Sequence, residues 1–142
     1  MIREPIYAAL FAKLAGCAVF ATSSRRLKHW DDVPMSDQPA LFQAQKREQP
    51  AGNTPGLPQV WVQTVDIYIY ANTRGDKSIS PGSVLNPLLD AIEAALAPEP
   101  ISGKQTLGGL VQHVWIDGAI ETDEGVLGDQ TVACIPITIK VA

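Results

Sequence analysis

Strict alternation of apolar and polar residues in two long segments constrains the fold of this chain more than any other feature. Segment 133–141 places one apolar set on a single face, namely Ala133, Ile135, Ile137, Ile139 and Val141. Segment 60–70 sets Trp61, Val65, Ile67 and Ile69 against Thr64, Asp66, Tyr68 and Tyr70. A period of two predicts β-strands with one buried face. Pro136 lacks an amide donor, so it is expected to face away from a neighbouring strand or to lie at a bulge.

Further strands are predicted on either side of these segments. In segment 110–120, Leu110, Val114, Ile116 and Ile120 share one face, and His113, Trp115 and Asp117 share the other. Residues 121–130 are rich in Asp, Glu and Gly, which predicts a turn between the last two strands. Residues 40–45 form a short strand candidate, and segments 18–22 and 25–30 are two further candidates for extended structure.

Two segments show helical spacing of apolar residues. The first contains Ile6, Ala9, Leu10 and Leu14, with Pro5 near its start and Gly16 at its end. The second contains Leu85, Leu88, Leu89, Ile92 and Leu96. Its first turn is capped either by Ser83 or by Asn86, and Pro98 and Pro100 end it. Pro, Gly and polar residues predict long loops at 49–58 and 71–82.

This element order predicts an α+β fold in one domain covering residues 1–142. Strands joined by hairpins favour an antiparallel or mixed β-sheet, and two amphipathic helices are expected to pack on one face of it. The chain is 46% hydrophobic and 18% charged, which is typical of a soluble globular protein. No segment approaches the length of apolar chain needed to span a bilayer, so no membrane partner is expected.

Charge is divided unevenly along the chain. The net charge of −4 gives no reason to expect sequence-specific binding to nucleic acid. Residues 1–77 hold nine Lys and Arg against seven Asp and Glu, whereas residues 78–142 hold two against eight. If the halves form different surfaces, the basic surface of one copy can meet the acidic surface of the next. Such head-to-tail contacts form rings when the rotation closes.

The N-terminal segment also fits a lipidation motif, Leu14-Ala15-Gly16-Cys17. A signal peptide is disfavoured because Glu4 offsets Arg3, and because Pro5 and Lys13 interrupt the apolar run. An amphipathic helix followed by a buried cysteine is the preferred interpretation. Cys17 and Cys134 lie far apart without a CxxC pair, so both are expected to be reduced thiols in a cytoplasmic protein.

A search for catalytic motifs predicts a protein that is not an enzyme and needs no cofactor. The sequence contains no GxSxG, GxGxxG or GxxxxGK[ST] motif. Five acidic residues near the C-terminus are candidate ligands for a hard cation, namely Asp117, Glu121, Asp123, Glu124 and Asp129. Their spacing matches no calcium loop, so a solvated turn is the preferred interpretation, and a small metal-dependent hydrolase remains an alternative.

Segment 24–42 is the most chemically dense part of the chain. It combines three cations, a tryptophan and two adjacent carboxylates, namely Arg25, Arg26, Lys28, Trp30, Asp31 and Asp32. Aromatic and arginine side chains contribute most of the energy of protein interfaces, so these residues are predicted to contact a partner. Arg74 and Asp76 in the second loop, and Trp115 on the polar side of its strand, join this interface hypothesis. Trp30 and Trp115 are each covered either by the same chain or by a partner.

The order and spacing of several segments carry a family resemblance. They are IREPIYAALFAKL, RRLKHW with DVP and QPALF, VWVQTVDIYIY, VLNPLLDAIEAAL, and GLVQHVWIDGAIETDEGVLGDQTVACIPITIKV. Together they span nearly the full chain, which resembles the tail terminator proteins of long-tailed bacteriophages, also called minor tail protein U-like or tail completion proteins.

The resemblance implies a subunit of a hexameric ring that caps the tail tube, ends its polymerisation and provides the surface for joining the head. The implied partners are other copies of the chain, the tail tube protein and head–tail connector proteins. The family has no known catalytic residues or required cofactor. The implied location is the virion tail, with assembly in the host cytoplasm. A neck or head-closure connector is a near alternative, and a lipoprotein anchored at Cys17 is a more distant one.

Overall fold

The structure is a computed structural model that describes residues 1–124 and 128–141. Its centre is a six-stranded mixed sheet with the order β1-β2-β3-β6-β4, in which β5 also pairs with β6. The strands are β1 (Thr22–Ser24), β2 (Ala40–Pro50), β3 (Trp61–Asn72), β4 (His113–Ile116), β5 (Glu121–Glu124) and β6 (Gln130–Val141). Only β1 and β2 run parallel among these described pairs, and the other neighbours are antiparallel. The predicted α+β fold is therefore confirmed.

The two alternating segments form the central pair of strands. β3 and β6 are paired along their full lengths, from Trp61 opposite Val141 to Asn72 opposite Gln130. Ile67 and Ile135 lie opposite each other at the middle of this pair, and both are fully buried. The prediction of two strands with one buried face is confirmed, because the apolar sets of both strands lie on the same face of the sheet.

Two helices cover that apolar face, as predicted. They are α1 (Arg3–Ala15) and α2 (Pro81–Ala95). Their buried residues join those of the sheet in one core, which includes Leu10 and Leu14 from α1 and Leu85 and Ile92 from α2. Gly16 ends α1 as expected.

The predicted start of α2 was wrong. The helix begins at Pro81, after Ser80, rather than near Ser83 or Asn86. The amide at the first helical position has no hydrogen-bond partner within the helix, so proline loses no hydrogen bond there. Its fixed φ angle is also helical, and both properties favour a start at Pro81. Pro87 consequently lies inside the helix, where its side chain is exposed.

The predicted strand 110–120 is shorter than expected, and only His113–Ile116 pairs with β6. Leu110 and Ile120, predicted to share a strand face with Val114 and Ile116, lie outside the strand and are exposed. Gly118 turns the chain after β4 with a φ of 114°, a conformation that disfavours a side chain. Pro136 lies in β6 between the residues paired with β4 and those paired with β5, and its carbonyl accepts a hydrogen bond from the amide of Asp117. Pro136 has no amide hydrogen to donate, and it lies at a position of β6 that pairs with neither β4 nor β5, so no hydrogen bond to those strands is lost there.

The predicted turn at 121–130 was too long, because Glu121–Glu124 forms β5 against β6, whereas Gly128 and Asp129 do lie in a turn before β6. The main-chain groups of residues 121–124 form hydrogen bonds with β6, and these bonds stabilise an extended conformation even though the side chains are polar. Residues 125–127 of the predicted turn lie outside the described residues.

Segment lengths differ from expectation on the N-terminal side of the sheet. Of the candidates at 18–22 and 25–30, only Thr22–Ser24 is a strand, and Trp30–Asp32 forms a short 3-10 turn. β2 extends to Pro50 because β3 offers it pairing partners along that length. The first predicted loop therefore shifts to residues 51–60, and the second shortens to residues 73–80.

A second, smaller apolar cluster lies on the opposite face of the sheet. It contains buried Val33, Ala40, Phe42 and Tyr70, with partly buried Trp30, Tyr68 and Val132 packed against it. The segment between β1 and β2 thus covers part of the face that the helices leave open. None of the described helices is long and apolar enough to cross a membrane.

Candidate assembly surfaces

The cationic segment, Arg25–Lys28, directly follows edge strand β1. Arg25 pairs with the carboxylate of Glu4 and donates a 3.2 Å hydrogen bond to the side chain of Gln45. The hydrogen bond from Arg25 lowers the pKa of Glu4. Arg26 and Lys28 have exposed side chains. One of the three predicted interface cations therefore contacts its own chain, and the other two face solvent.

Trp30 is half-buried by its own chain on the second face of the sheet. Two hydrogen bonds to the main chain fix this position: the Tyr70 hydroxyl donates to the Lys28 carbonyl at 2.6 Å, and the Gln130 amide donates to the Trp30 carbonyl at 3.1 Å. Burial raises the pKa of Tyr70 to about 12. Part of the Trp30 side chain therefore packs against the second apolar cluster, and the rest is exposed to solvent.

Asp31 and Asp32 lie in the 3-10 turn that begins at Trp30, and both are exposed. The ring of His29 lies 4.9 Å from the ring of Trp30, and its Nδ1 accepts a hydrogen bond from the Asp31 amide. The turn therefore holds the two carboxylates beside the tryptophan, as the sequence order suggested, while leaving them open to solvent.

The loop at 73–80 is held by local hydrogen bonds. Arg74 has a φ of 57°, its amide donates to the Asn72 side chain at 2.7 Å, and its guanidinium donates to the Gln38 carbonyl at 3.1 Å. Asp76 accepts hydrogen bonds from the hydroxyl and the amide of Ser78, which lower its pKa. Both predicted interface residues are exposed on this loop, far in sequence from the cationic segment.

Trp115 lies in a groove between α2 and the free edge of β4, which we call the α2–β4 groove. Its volume is about 740 Å³. The apolar lining includes Leu96, Val114, Trp115, Ile116 and Ile120, and the exposed carboxylates of Asp90 and Glu93 also line it.

The position of Trp115 is fixed by its neighbour on the same strand face. Its ring stacks on His113 with 5.0 Å between the ring centroids, and His113 accepts a hydrogen bond from the Gln105 amide. The groove therefore combines a half-buried aromatic surface with two carboxylates.

Sheet order separates the two differently charged halves of the sequence. α1 and strands β1, β2 and β3 all belong to residues 1–77, and α2, β4, β5 and β6 all belong to residues 78–142. The strand order β1-β2-β3-β6-β4 therefore places the basic half at one side of the sheet and the acidic half at the other. The two sides of the sheet therefore differ in the net charge of the residues that form them.

Groups with possible chemical roles are few in the described part of the chain. Among those residues, no three His, Cys, Asp or Glu side chains are grouped so that they could hold a metal ion. Cys17 and Cys134 are both free and half-buried, and burial raises the pKa of each thiol.

Sequence reasoning missed several residues that the fold brings to these surfaces. Leu27, Asp90, Glu93 and Ile120 were not predicted to lie at an assembly surface. Leu27 carried no signal by itself, since single exposed apolar residues are common on protein surfaces. Asp90 and Glu93 carried none, because acidic residues on the outer side of an amphipathic helix are ordinary.

Comparison with known proteins identifies solved structures of similar fold. A scan of known protein families and a search of curated proteins both find no match. Among solved structures, a chain in the virion of a native gene transfer agent particle is similar to this one, with a TM-score of 0.56 and 12% sequence identity. The match covers 96% of this chain and 93% of that chain, so the two share a fold over nearly their whole lengths.

A second solved structure aligns over 100% of this chain and 96% of its own, with 19% identity and a TM-score of 0.49. At that TM-score we draw no conclusion from the similarity.

Proposed function

We propose that this chain is a structural protein of a phage-type virion rather than an enzyme. The observation that carries the proposal is the similarity of fold, over nearly both chains, to a chain in a gene transfer agent virion. A fold can host many functions, so the similarity alone does not specify the role. The family resemblance of the sequence supports a narrower proposal, in which the chain is a tail terminator subunit.

In this role, identical subunits form a ring that caps the tail tube. The ring ends polymerisation of the tube and presents a different surface to the head–tail connector proteins. The separation of the basic and acidic halves across the sheet supports a head-to-tail ring, since each subunit offers unlike surfaces to its two neighbours. We propose a hexamer, assembled in the host cytoplasm and located in the virion tail.

Exposed residues on the two surfaces are the proposed contacts. Arg26 and Lys28 offer cations, Asp31 and Asp32 offer counter-charges, and Trp115 offers an aromatic surface. Arg25 contributes by holding the cationic segment against Glu4. Trp30 anchors the same segment to the sheet.

Electron microscopy of particles that lack the protein tests this function. A tail terminator predicts tubes of uncontrolled length without heads. Tubes of normal length with open, leaking heads would instead favour a neck or head-closure protein. Normal infectious particles would contradict both roles.

A matched pair of variants tests the proposed contacts in the same particles. Arg26→Ala is expected to weaken ring formation or tail capping, because the side chain is exposed and its loss leaves the fold intact. Lys104→Ala removes an exposed cation that belongs to none of the proposed contacts and serves as the control. Intact rings and normal tails with Arg26→Ala would remove this residue from the proposed interface.

A further inference from the structure

The α2–β4 groove has the chemistry of a site for an apolar side chain flanked by cations. Its floor is apolar around Trp115 and Ile116, whereas Asp90 and Glu93 provide two exposed carboxylates beside it. α2, β4 and β5 contain no Lys or Arg, and the cation that borders β4 is Lys140 of β6, opposite His113. An occupant that carries positive charge next to an apolar group would satisfy both parts of the lining.

The cationic segment of this chain carries that combination. Leu27 is 44% exposed and lies between Arg26 and Lys28, whose side chains are also exposed. An exposed leucine between two cations has an apolar surface that water does not favour, and charges that oppose those of the groove.

The segment cannot fill the groove of its own subunit. Leu27 lies beside Tyr70 and Val132, which pair with each other near one end of the β3–β6 ladder, whereas Trp115 lies opposite Thr138, six residues further along β6. Lys28 is held in place through its carbonyl by the Tyr70 hydroxyl, so the segment cannot move to the groove without losing that contact. Contact between the two sites therefore requires two copies of the chain.

We infer that the α2–β4 groove of one copy receives Leu27 of the next copy, with Arg26 and Lys28 paired with Asp90 and Glu93. The inference rests on the proposed ring and specifies its subunit contact. The contact is heterologous, because each subunit offers the groove on one side and the cationic segment on the other. Leu27 supplies the apolar anchor, and the ion pairs set the register and orientation.

Two variants that each disable one side test the inference. Leu27→Asp places a carboxylate against the acidic groove, and Ala97→Asp places one on the exposed lining of the groove itself. Each is expected to weaken self-association by roughly tenfold or more in analytical ultracentrifugation, because a buried unpaired charge is strongly unfavourable. Leu57→Asp, which alters a leucine 65% exposed in the loop at 51–60, is the matched control. Circular dichroism checks that each variant is folded.

Mixing the two disabled variants gives the sharper result. The intact groove of Leu27→Asp can still receive the intact segment of Ala97→Asp, so the mixture is expected to form heterodimers but no rings. A symmetric contact, in which both copies use the same surface, would give no such complementation. Absence of heterodimers would therefore overturn the inference, as would rings formed by either variant alone.

The outcome is distinguishable from failure of the proposed function. If the unaltered protein forms rings and controls tail length while both variants still form rings, the groove contact is wrong and the tail terminator role stands. If the unaltered protein associates through the groove but particles lacking it have normal tails, the contact stands and the tail role is wrong. An unaltered protein that stays monomeric at every concentration overturns the contact.

Discussion

Glu48 joins α1 to the sheet through three hydrogen bonds from different parts of the chain. Its Oε2 accepts from Arg3 at 2.7 Å, and its Oε1 accepts from the Tyr7 hydroxyl at 2.7 Å and from the Gln63 amide at 3.1 Å. Tyr7 and Gln63 are almost fully buried, whereas the side chain of Arg3 is 49% exposed. Replacing Glu48 with Gln keeps the size of the side chain but removes its charge.

The expected loss of stability follows from these contacts. Hydrogen bonds to a charged acceptor are about twice as strong as neutral ones, so the bonds from Tyr7 and Gln63 together lose about 1.5 kcal/mol. The amide nitrogen of Gln would face the Arg3 donor, but that pair is solvent-exposed and adds only about 0.5 kcal/mol. The Glu48→Gln variant is therefore expected to be about 2 kcal/mol less stable, which lowers Tm by about 7 °C in a chain of this length.

The pH dependence of this difference provides a second check. Burial alone raises the pKa of Glu48, but the hydrogen bonds from Arg3, Tyr7 and Gln63 outweigh it and lower the pKa below the ordinary value. The stabilisation is thus complete above the unfolded-state pKa of about 4.3 and is lost as the pH falls through the folded-state pKa. The difference between Glu48→Gln and the unaltered protein is expected to shrink between pH 5 and pH 3, since protonation removes the same charge.

Urea unfolding at pH 7 and at pH 3 measures both effects. Glu121→Gln, which alters an exposed carboxylate on β5, is the matched control and is expected to change stability little. Tyr7→Phe combined with Glu48→Gln completes a double-mutant cycle, with an expected coupling of about 1 kcal/mol. A Glu48→Gln variant within about 0.5 kcal/mol of the unaltered protein at pH 7 would refute the reasoning.

Three further changes test other parts of the fold. Tyr70→Phe removes the hydrogen bond to the Lys28 carbonyl and is expected to cost about 1 kcal/mol in urea unfolding. Because the pKa of Tyr70 is raised to about 12 and that of an unfolded tyrosine is about 10, the advantage of the unaltered protein should persist below pH 10 and decline above it. Ile67→Ala leaves a cavity in a fully buried position and is expected to cost about 3 kcal/mol, so an unchanged Tm would contradict the assigned core. Gly118→Ala forces a side chain at a φ of 114° and to within 3.4 Å of Pro136, with an expected cost of about 1 to 2 kcal/mol measured by the same unfolding assay.

Segments with a strong period were predictable from the sequence, and segments that depend on partners were not. β3 and β6 bury one face each, so the alternation around Ile67 and Ile135 directly reports their environment. β5 has no such pattern, because Glu121–Glu124 is extended by pairing with β6 while its side chains remain largely exposed. A strand whose existence depends on a distant partner leaves no local period in the sequence.

The sequence predicted which types of residue the assembly surfaces contain, but not where those residues lie in the fold. Arg26, Lys28 and Trp115 were identified because cations and aromatic residues are common at interfaces, and their contact role remains a prediction. The α2–β4 groove could not be predicted, since it exists only when α2 lies beside the free edge of β4. The tertiary position of Trp30 was equally unpredictable, because Trp30 packs against a cluster that includes Tyr70, a residue from a strand far along the chain.

The β3–β6 pairing also determines when the protein can acquire its fold during synthesis. Trp61 pairs with Val141, and β6 follows every other described element along the chain. The ribosome therefore delivers the partner of β3 only after both helices and the other described strands have emerged. Long-range pairing of this kind is slow to form, because distant parts of the chain must meet before their contacts repay the lost entropy. We expect the first half of the chain to remain without a complete hydrophobic core until β6 has been synthesised. A nascent chain therefore presents no folded assembly surface to other copies of the protein.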